Sequence, residues 1–146
     1  FVMYYRIFDI PVLNFIFRTA RAIPIAGAKE DAALLARAWD EIDAALAAGD
    51  VVCIFPEGGL TLDGEIAPFR PGVEKILARR PVPVVPMALR GLWGSVFSRR
   101  NSAPARWRLP RRFRARVELI VGEPLPATAT AAELERHVRT LRGERA

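Results

Sequence analysis

At 146 residues, 51% of them hydrophobic, the chain can bury one sizeable core and has little room for a second, so it is read as a single domain over residues 1–146. Twenty-two basic against sixteen acidic residues leave a net charge of +6, carried almost wholly by arginine, since Lys29 and Lys75 are the only lysines; that balance favours phosphate headgroups, membrane surfaces or nucleic acid. The lone Cys53 excludes an internal disulfide, and no run reaches the roughly 18 apolar residues of a transmembrane helix, the longest candidate being closed off by Asp9 and Arg18.

Strand and helix signals alternate along the chain. Phe1 to Tyr5 reads as a short strand, Pro11 to Thr19 as a helix with apolar Val12, Leu13, Phe15, Ile16 and Phe17, and Ala22 to Ile25 as a second strand. Asp31 then caps an amphipathic helix running to about Ala48, with Leu34, Leu35, Ala38, Ile42, Ala45 and Leu46 on one face and Gly49 as its stop.

Next comes the apolar run Val51-Val52-Cys53-Ile54-Phe55, which ends abruptly in Pro56-Glu57-Gly58-Gly59. A run of this kind predicts a strand buried on both faces, with Glu57 at its carboxyl end, where open α/β sheets place ligands. Gly58 and Gly59 permit positive φ and close approach of a substrate to the backbone. Taken alone, the turn is equally an ordinary exit from strand to loop, and Cys53 a small apolar residue of that strand.

An irregular stretch from Leu60 to Arg70 leads to Pro71-Gly72, which opens a helix to about Arg79, and then to a strand from Val82 to Leu89. A basic connection covers about residues 91–114. Arg116 to Val121 alternates as a later strand, with Val117, Leu119 and Val121 on one face, ended by Gly122-Glu123-Pro124. Thr130 and Glu133 have the spacing of a capping box for a helix over residues 130–142, whose packing side is Leu134, Val138 and Leu141. The order predicts an α/β fold: a central, mostly parallel or mixed sheet with helices on both faces.

Phe55-Pro56-Glu57-Gly58, followed by Thr61, resembles a sequence block of the phospholipid/glycerol acyltransferases, the family that acylates glycerol phosphate and lysophospholipids. Two further stretches resemble family blocks in order and spacing: Arg21-Ala22-Ile23-Pro24-Ile25 upstream, and Val82 to Leu89 downstream. The resemblance covers roughly residues 1 to 125 and implies a glycerolphosphate-acyltransferase-like fold. It also implies that Phe55, Pro56, Glu57, Gly58, Gly59 and Thr61 form an acceptor pocket.

The family's catalytic block, a histidine with an aspartate five positions later, has no match in this sequence. The single histidine, His137, lies far downstream and is followed at that spacing by Arg142, so no catalytic residue is assigned and the sequence reads as starting just after that block. The family's phosphate-binding arginines also have no direct match: the second-block position falls near Gly27 and the third-block position at Gly59-Leu60. Arg21 and Arg70 are the nearest substitutes, or else surface charges. This pattern is similar to the branch that reacylates lysophospholipids, including acyltransferase halves fused to transporters.

Between Arg99 and Arg116 there are eight arginines and no acidic residue, with aromatic residues interleaved. Trp93, Arg99, Arg100, Trp107, Arg108, Arg111 and Arg112 suit a lipid headgroup layer, where guanidinium groups bind phosphate and rings insert at the polar boundary. Each basic residue at an anionic leaflet contributes about 1 kcal/mol. A solvated basic loop and phosphate contacts to nucleic acid fit the same composition.

The resemblance implies transfer of a fatty acyl group from a thioester, acyl-CoA or acyl-carrier protein, to a lysophospholipid or acylglycerol phosphate. No metal or other cofactor is implied, and the site of action is the cytoplasmic face of a membrane, peripherally or within a larger membrane protein. Two other readings stand beside it: a non-catalytic lipid-binding relative, and a basic nucleic-acid-binding domain.

Overall fold

Asp31 starts the longest helix by accepting a hydrogen bond from the Leu34 amide at 2.8 Å, the side-chain cap its sequence predicts. The structure is a computed structural model, and it describes residues 1–9, 11–59, 64–91 and 116–143. In chain order its elements are β1 (Val2–Tyr4), a 3-10 helix (Tyr5–Asp9), α1 (Pro11–Thr19), β2 (Ile23–Ile25), α2 (Ala32–Ala47), α3 (Gly72–Arg79), β3 (Met87–Arg90), β4 (Glu118–Val121) and α4 (Ala131–Arg142). Among the described residues no helix is long and apolar enough to cross a membrane.

β1 and β2 pair in parallel, Val2 beside Ile23 and Tyr4 beside Ile25, whereas β3 and β4 pair antiparallel, Met87 beside Val121 and Arg90 beside Glu118. The chain is therefore α/β with both strand directions, and among the described residues the strands form two short ladders rather than the expected single sheet. The run at 51–55 lies between them without forming a regular strand: its tie to β1 is the Val2 amide donating to the Cys53 carbonyl at 2.9 Å. It is also less buried than its sequence predicts, since Val51 is 93% exposed and Phe55 56%.

The strand expected over Val82 to Leu89 is shortened for a clear reason. Pro83 and Pro86 have no amide to donate, so the ladder is confined to a bridge between Val84 and Leu125 and to β3 itself. Two residues separate the two paired positions on this strand and three separate them on the other, where Gly122, Glu123 and Pro124 bulge. Leu125 consequently faces the core, while Leu119 and Val121 face away from it.

The buried residues form two clusters. Val2 and Ile23 pack against Ala38 and Ile42 of α2, with Trp39 and Leu46 at the margin; Val73 and Leu77 of α3 pack against Ala129, Ala131 and Leu134 by α4. Ile54 touches both clusters, and α3 contributes Ile76 to the first. The α2 face legible from Leu34 to Leu46 is the one that packs, and α2 is also bound to α3 by the two-pronged pair of Arg80 with Asp43, at 2.8 and 3.2 Å.

Helices α2, α3 and α4 thus share the two clusters, but among the described residues no helix covers the second face of β3 and β4. One face, Ala88 and Ile120, is covered, whereas Met87, Leu89, Leu119 and Val121 are between 44% and 56% exposed. Ile42 is 2% exposed, the most deeply buried large side chain of the first cluster. Ile42→Ala is expected to lower the free energy of unfolding by about 2–4 kcal/mol, read from urea titration followed by circular dichroism.

Candidate functional site

α2 carries the chain from β2 back along the sheet, so residues 51–55 run in the same direction as β1 and β2, with Cys53 beside Val2. The turn at 55–58 therefore leaves at the same edge as the carboxyl ends of both strands. There the Gly58 amide donates to the Phe55 carbonyl at 3.1 Å, and Gly58 has φ of +66°, a conformation that favours glycine.

Glu57 is half-buried, and its Oε2 accepts from the Ala67 amide at 2.8 Å. The Arg70 amide donates to the Pro56 carbonyl at 2.9 Å, which brings the Arg70 side chain across Gly58: a Cβ there would lie 2.7 Å from Arg70 Nε. Arg70 is exposed and, among the described residues, forms no salt bridge. Apart from its chain neighbours, no described residue lies within 4 Å of the place a Gly59 side chain would start.

The segment that carries Arg70 is held from its other side by α4. Glu135 Oε2 accepts from the Phe69 amide at 3.0 Å, Arg139 donates to the Ile66 carbonyl at 2.6 Å, and Arg142 donates to the Gly64 carbonyl at 3.0 Å and pairs with Glu65 at 2.7 Å. The Phe69 amide, with Arg139 second, holds the Glu135 carboxyl below its ordinary range. These α4 residues were not singled out by sequence reasoning. Their local signal is the Glu135–Arg139 spacing of four, which says nothing about a segment some seventy positions away.

A second polar cluster occupies the carboxyl ends of β1 and β2. Glu30 Oε1 accepts from Tyr4 Oη at 2.6 Å, Tyr5 Oη at 3.2 Å and Arg6 at 3.2 Å. The Tyr4 hydroxyl is the main cause that lowers the Glu30 pKa, and the same bond raises that of Tyr4. It fixes the loop after β2 at the edge from which the 55–58 turn emerges.

Of the residues predicted for the acceptor pocket, Phe55, Pro56, Glu57, Gly58 and Gly59 stand together with Arg70. Arg21 does not join them: it occupies the tight turn before β2, with φ of +50°, at the opposite ends of the strands. Thr61 lies outside the described residues, as do Trp93, Arg99, Arg100, Trp107, Arg108, Arg111 and Arg112. His137 is exposed on α4 and lines a separate cleft of about 390 Å³ with Pro86, Glu123 and Thr140.

A family model described as Acyltransferase matches residues 1–90, from β1 through β3, and so includes the 55–58 turn and Arg70 but not α4. No curated protein and no solved structure matches the chain.

Because the Glu135 carboxyl is held low in the folded chain, its contribution to stability is present above the ordinary carboxylate range and is lost as pH falls through its folded value. The melting temperature is therefore expected to fall on acidification below about pH 4, less steeply in Glu135→Gln; parallel slopes would show that the bond to Phe69 has no part in it. Gly58→Ala is expected to destabilise the chain by about 1 kcal/mol or more, since it meets both a positive φ and the Arg70 guanidinium, a difference measurable by denaturant titration.

Proposed function

The chain belongs to the acyltransferase family, and we propose that it serves the acceptor side of acyl transfer to a lysophospholipid or acylglycerol phosphate. The donor in this reading is an acyl thioester, acyl-CoA or acyl-carrier protein, and the setting is phospholipid synthesis or remodelling. The proposed location is the cytoplasmic face of a membrane, peripherally or within a larger membrane protein, with the arginine- and tryptophan-bearing sequence around residues 93–112 toward the headgroups.

The observation that carries the proposal is Arg70, a cation without a salt bridge among the described residues, laid across Gly58 in the turn that Glu57 braces. A guanidinium so placed can bind a phosphate with two parallel hydrogen bonds. In this reading it substitutes for the arginines that the family resemblance leads one to expect near Gly27 and at Gly59-Leu60, where this sequence has none. Arg21, at the far ends of the strands, is not part of this phosphate site.

In the transfer itself, the acceptor hydroxyl oxygen attacks the thioester carbonyl carbon, its proton passes to a general base, the C–S bond breaks and the thiol leaves. Glu57 acts here by position: one carboxylate oxygen fixes the Ala67 amide and thereby the segment bearing Arg70. His137 faces a different cleft and is not assigned as the base. Residues 1–146 by themselves are expected to show no acyl transfer above a Glu57→Ala control.

Binding of a short-chain lysophosphatidate, followed by calorimetry or amide shifts, tests the acceptor reading. Arg70→Ala is expected to weaken it about tenfold or more, while affinity for the matching neutral monoacylglycerol stays unchanged. Gly59→Arg, which restores a cation where there is room for one, is expected to tighten it. Equal affinity of the wild type and Arg70→Ala for the phosphorylated acceptor would overturn the proposal.

A further inference from the structure

α4 is fixed at both ends by groups outside the segment it holds. At its start the Glu74 carboxylate of α3 accepts from the Ala131 amide at 2.7 Å, and near its end Arg90 of β3 donates to the Leu141 carbonyl. Between those anchors Glu135, Arg139 and Arg142 follow at spacings of four and three, which puts them on one face. They meet Phe69, Ile66 and Gly64 in that order, so residues 64–69 run antiparallel to the helix in a fixed register.

The rung at Glu135 is the one that bears on Arg70. Successive amides there donate to different elements: Phe69 to the Glu135 carboxylate of α4 at 3.0 Å, Arg70 to the Pro56 carbonyl of the turn at 2.9 Å. These amides belong to the two peptides flanking the Phe69 Cα. Because each peptide is planar, holding both fixes the direction in which the chain delivers Arg70 to Gly58. The Phe69 side chain supports the same placement by packing against the cluster of Val73, Leu77 and Leu134. The Glu135 side chain is 22% exposed, and its carboxyl is held below the ordinary range by the Phe69 amide first and Arg139 second. Its bond to Phe69 is therefore charge-assisted and partly shielded from water.

We propose that Glu135 is a positioning residue for the acceptor phosphate: without touching the ligand, it sets the reach of Arg70 across Gly58 and so the preference for a phosphorylated over a neutral acceptor. This rests on the acceptor reading given above and deepens it, placing part of that preference on a helix outside residues 1–90.

The test is calorimetric titration of residues 1–146 with short-chain lysophosphatidate and with the matching monoacylglycerol. Glu135→Ala is expected to weaken binding of the phosphorylated acceptor about threefold or more and of the neutral one not at all. Glu135→Gln, which keeps an oxygen for the Phe69 amide, should recover most of the loss. In the Arg70→Ala background Glu135→Ala is expected to add nothing, because its effect passes through Arg70. A helix that merely supports the fold would lower both affinities together, in either background. Should Glu135→Ala not fold, the wild type supplies a second reading: lysophosphatidate, unlike monoacylglycerol, is expected to slow hydrogen exchange at the Phe69 amide. No loss in Glu135→Ala, equal loss for both acceptors, an additive loss in the double variant, or Phe69 exchange indifferent to the phosphate would each overturn the proposal while leaving Arg70 as the phosphate's cation. Unchanged lysophosphatidate affinity in Arg70→Ala would overturn the acceptor reading and this proposal with it.

Discussion

Ile54 packs against both hydrophobic clusters, and the remaining geometry follows from that contact. On one side it meets the layer of β1, β2 and α2; on the other, the layer in which α3 meets α4. The residue is only part-buried, but it is placed where two patches of apolar surface become one interior. Because Phe55 to Gly58 follow at once, the turn is aimed by the core rather than by its own loop.

Polar contacts complete what packing begins. Glu57 holds the 64–70 segment from the side of the turn and Glu135 holds it from α4, each carboxylate accepting a main-chain amide that a loop would otherwise present to water. Arg139 and Arg142 cover its carbonyls from the same helix. The turn and the segment bearing Arg70 thus depend on a helix that lies beyond the residues matched to the family.

Local rules made much of the helical architecture legible. The Asp31 cap, the Thr130–Glu133 capping box and the Pro11–Thr19 helix are where the sequence places them, because each is decided by a few neighbouring residues. The strands were less legible. Apolar runs at 51–55 and 82–89 predict buried strands, but a strand also needs a ladder partner, and prolines at 83 and 86 withhold donors from one. In the site, the motif residues were legible as a block, and Arg70 as a candidate cation. What separates Arg70 from Arg21 is which end of the strands each occupies, a fact of topology that neither residue's neighbours encode.

The bulge at Gly122 to Pro124 has a consequence for how this chain can change over generations. Side chains alternate with a period of two, and the bulge absorbs the extra residue: apolar positions before it serve the outer surface, and Leu125 after it serves the interior. Losing one of the three residues would leave two between the paired positions on each strand, so plain alternation would carry Val121 outward and Leu125 inward with no bulge. The extra residue is therefore dispensable to the inner and outer roles, whereas a strand of the present length without its bulge would reverse them on one side.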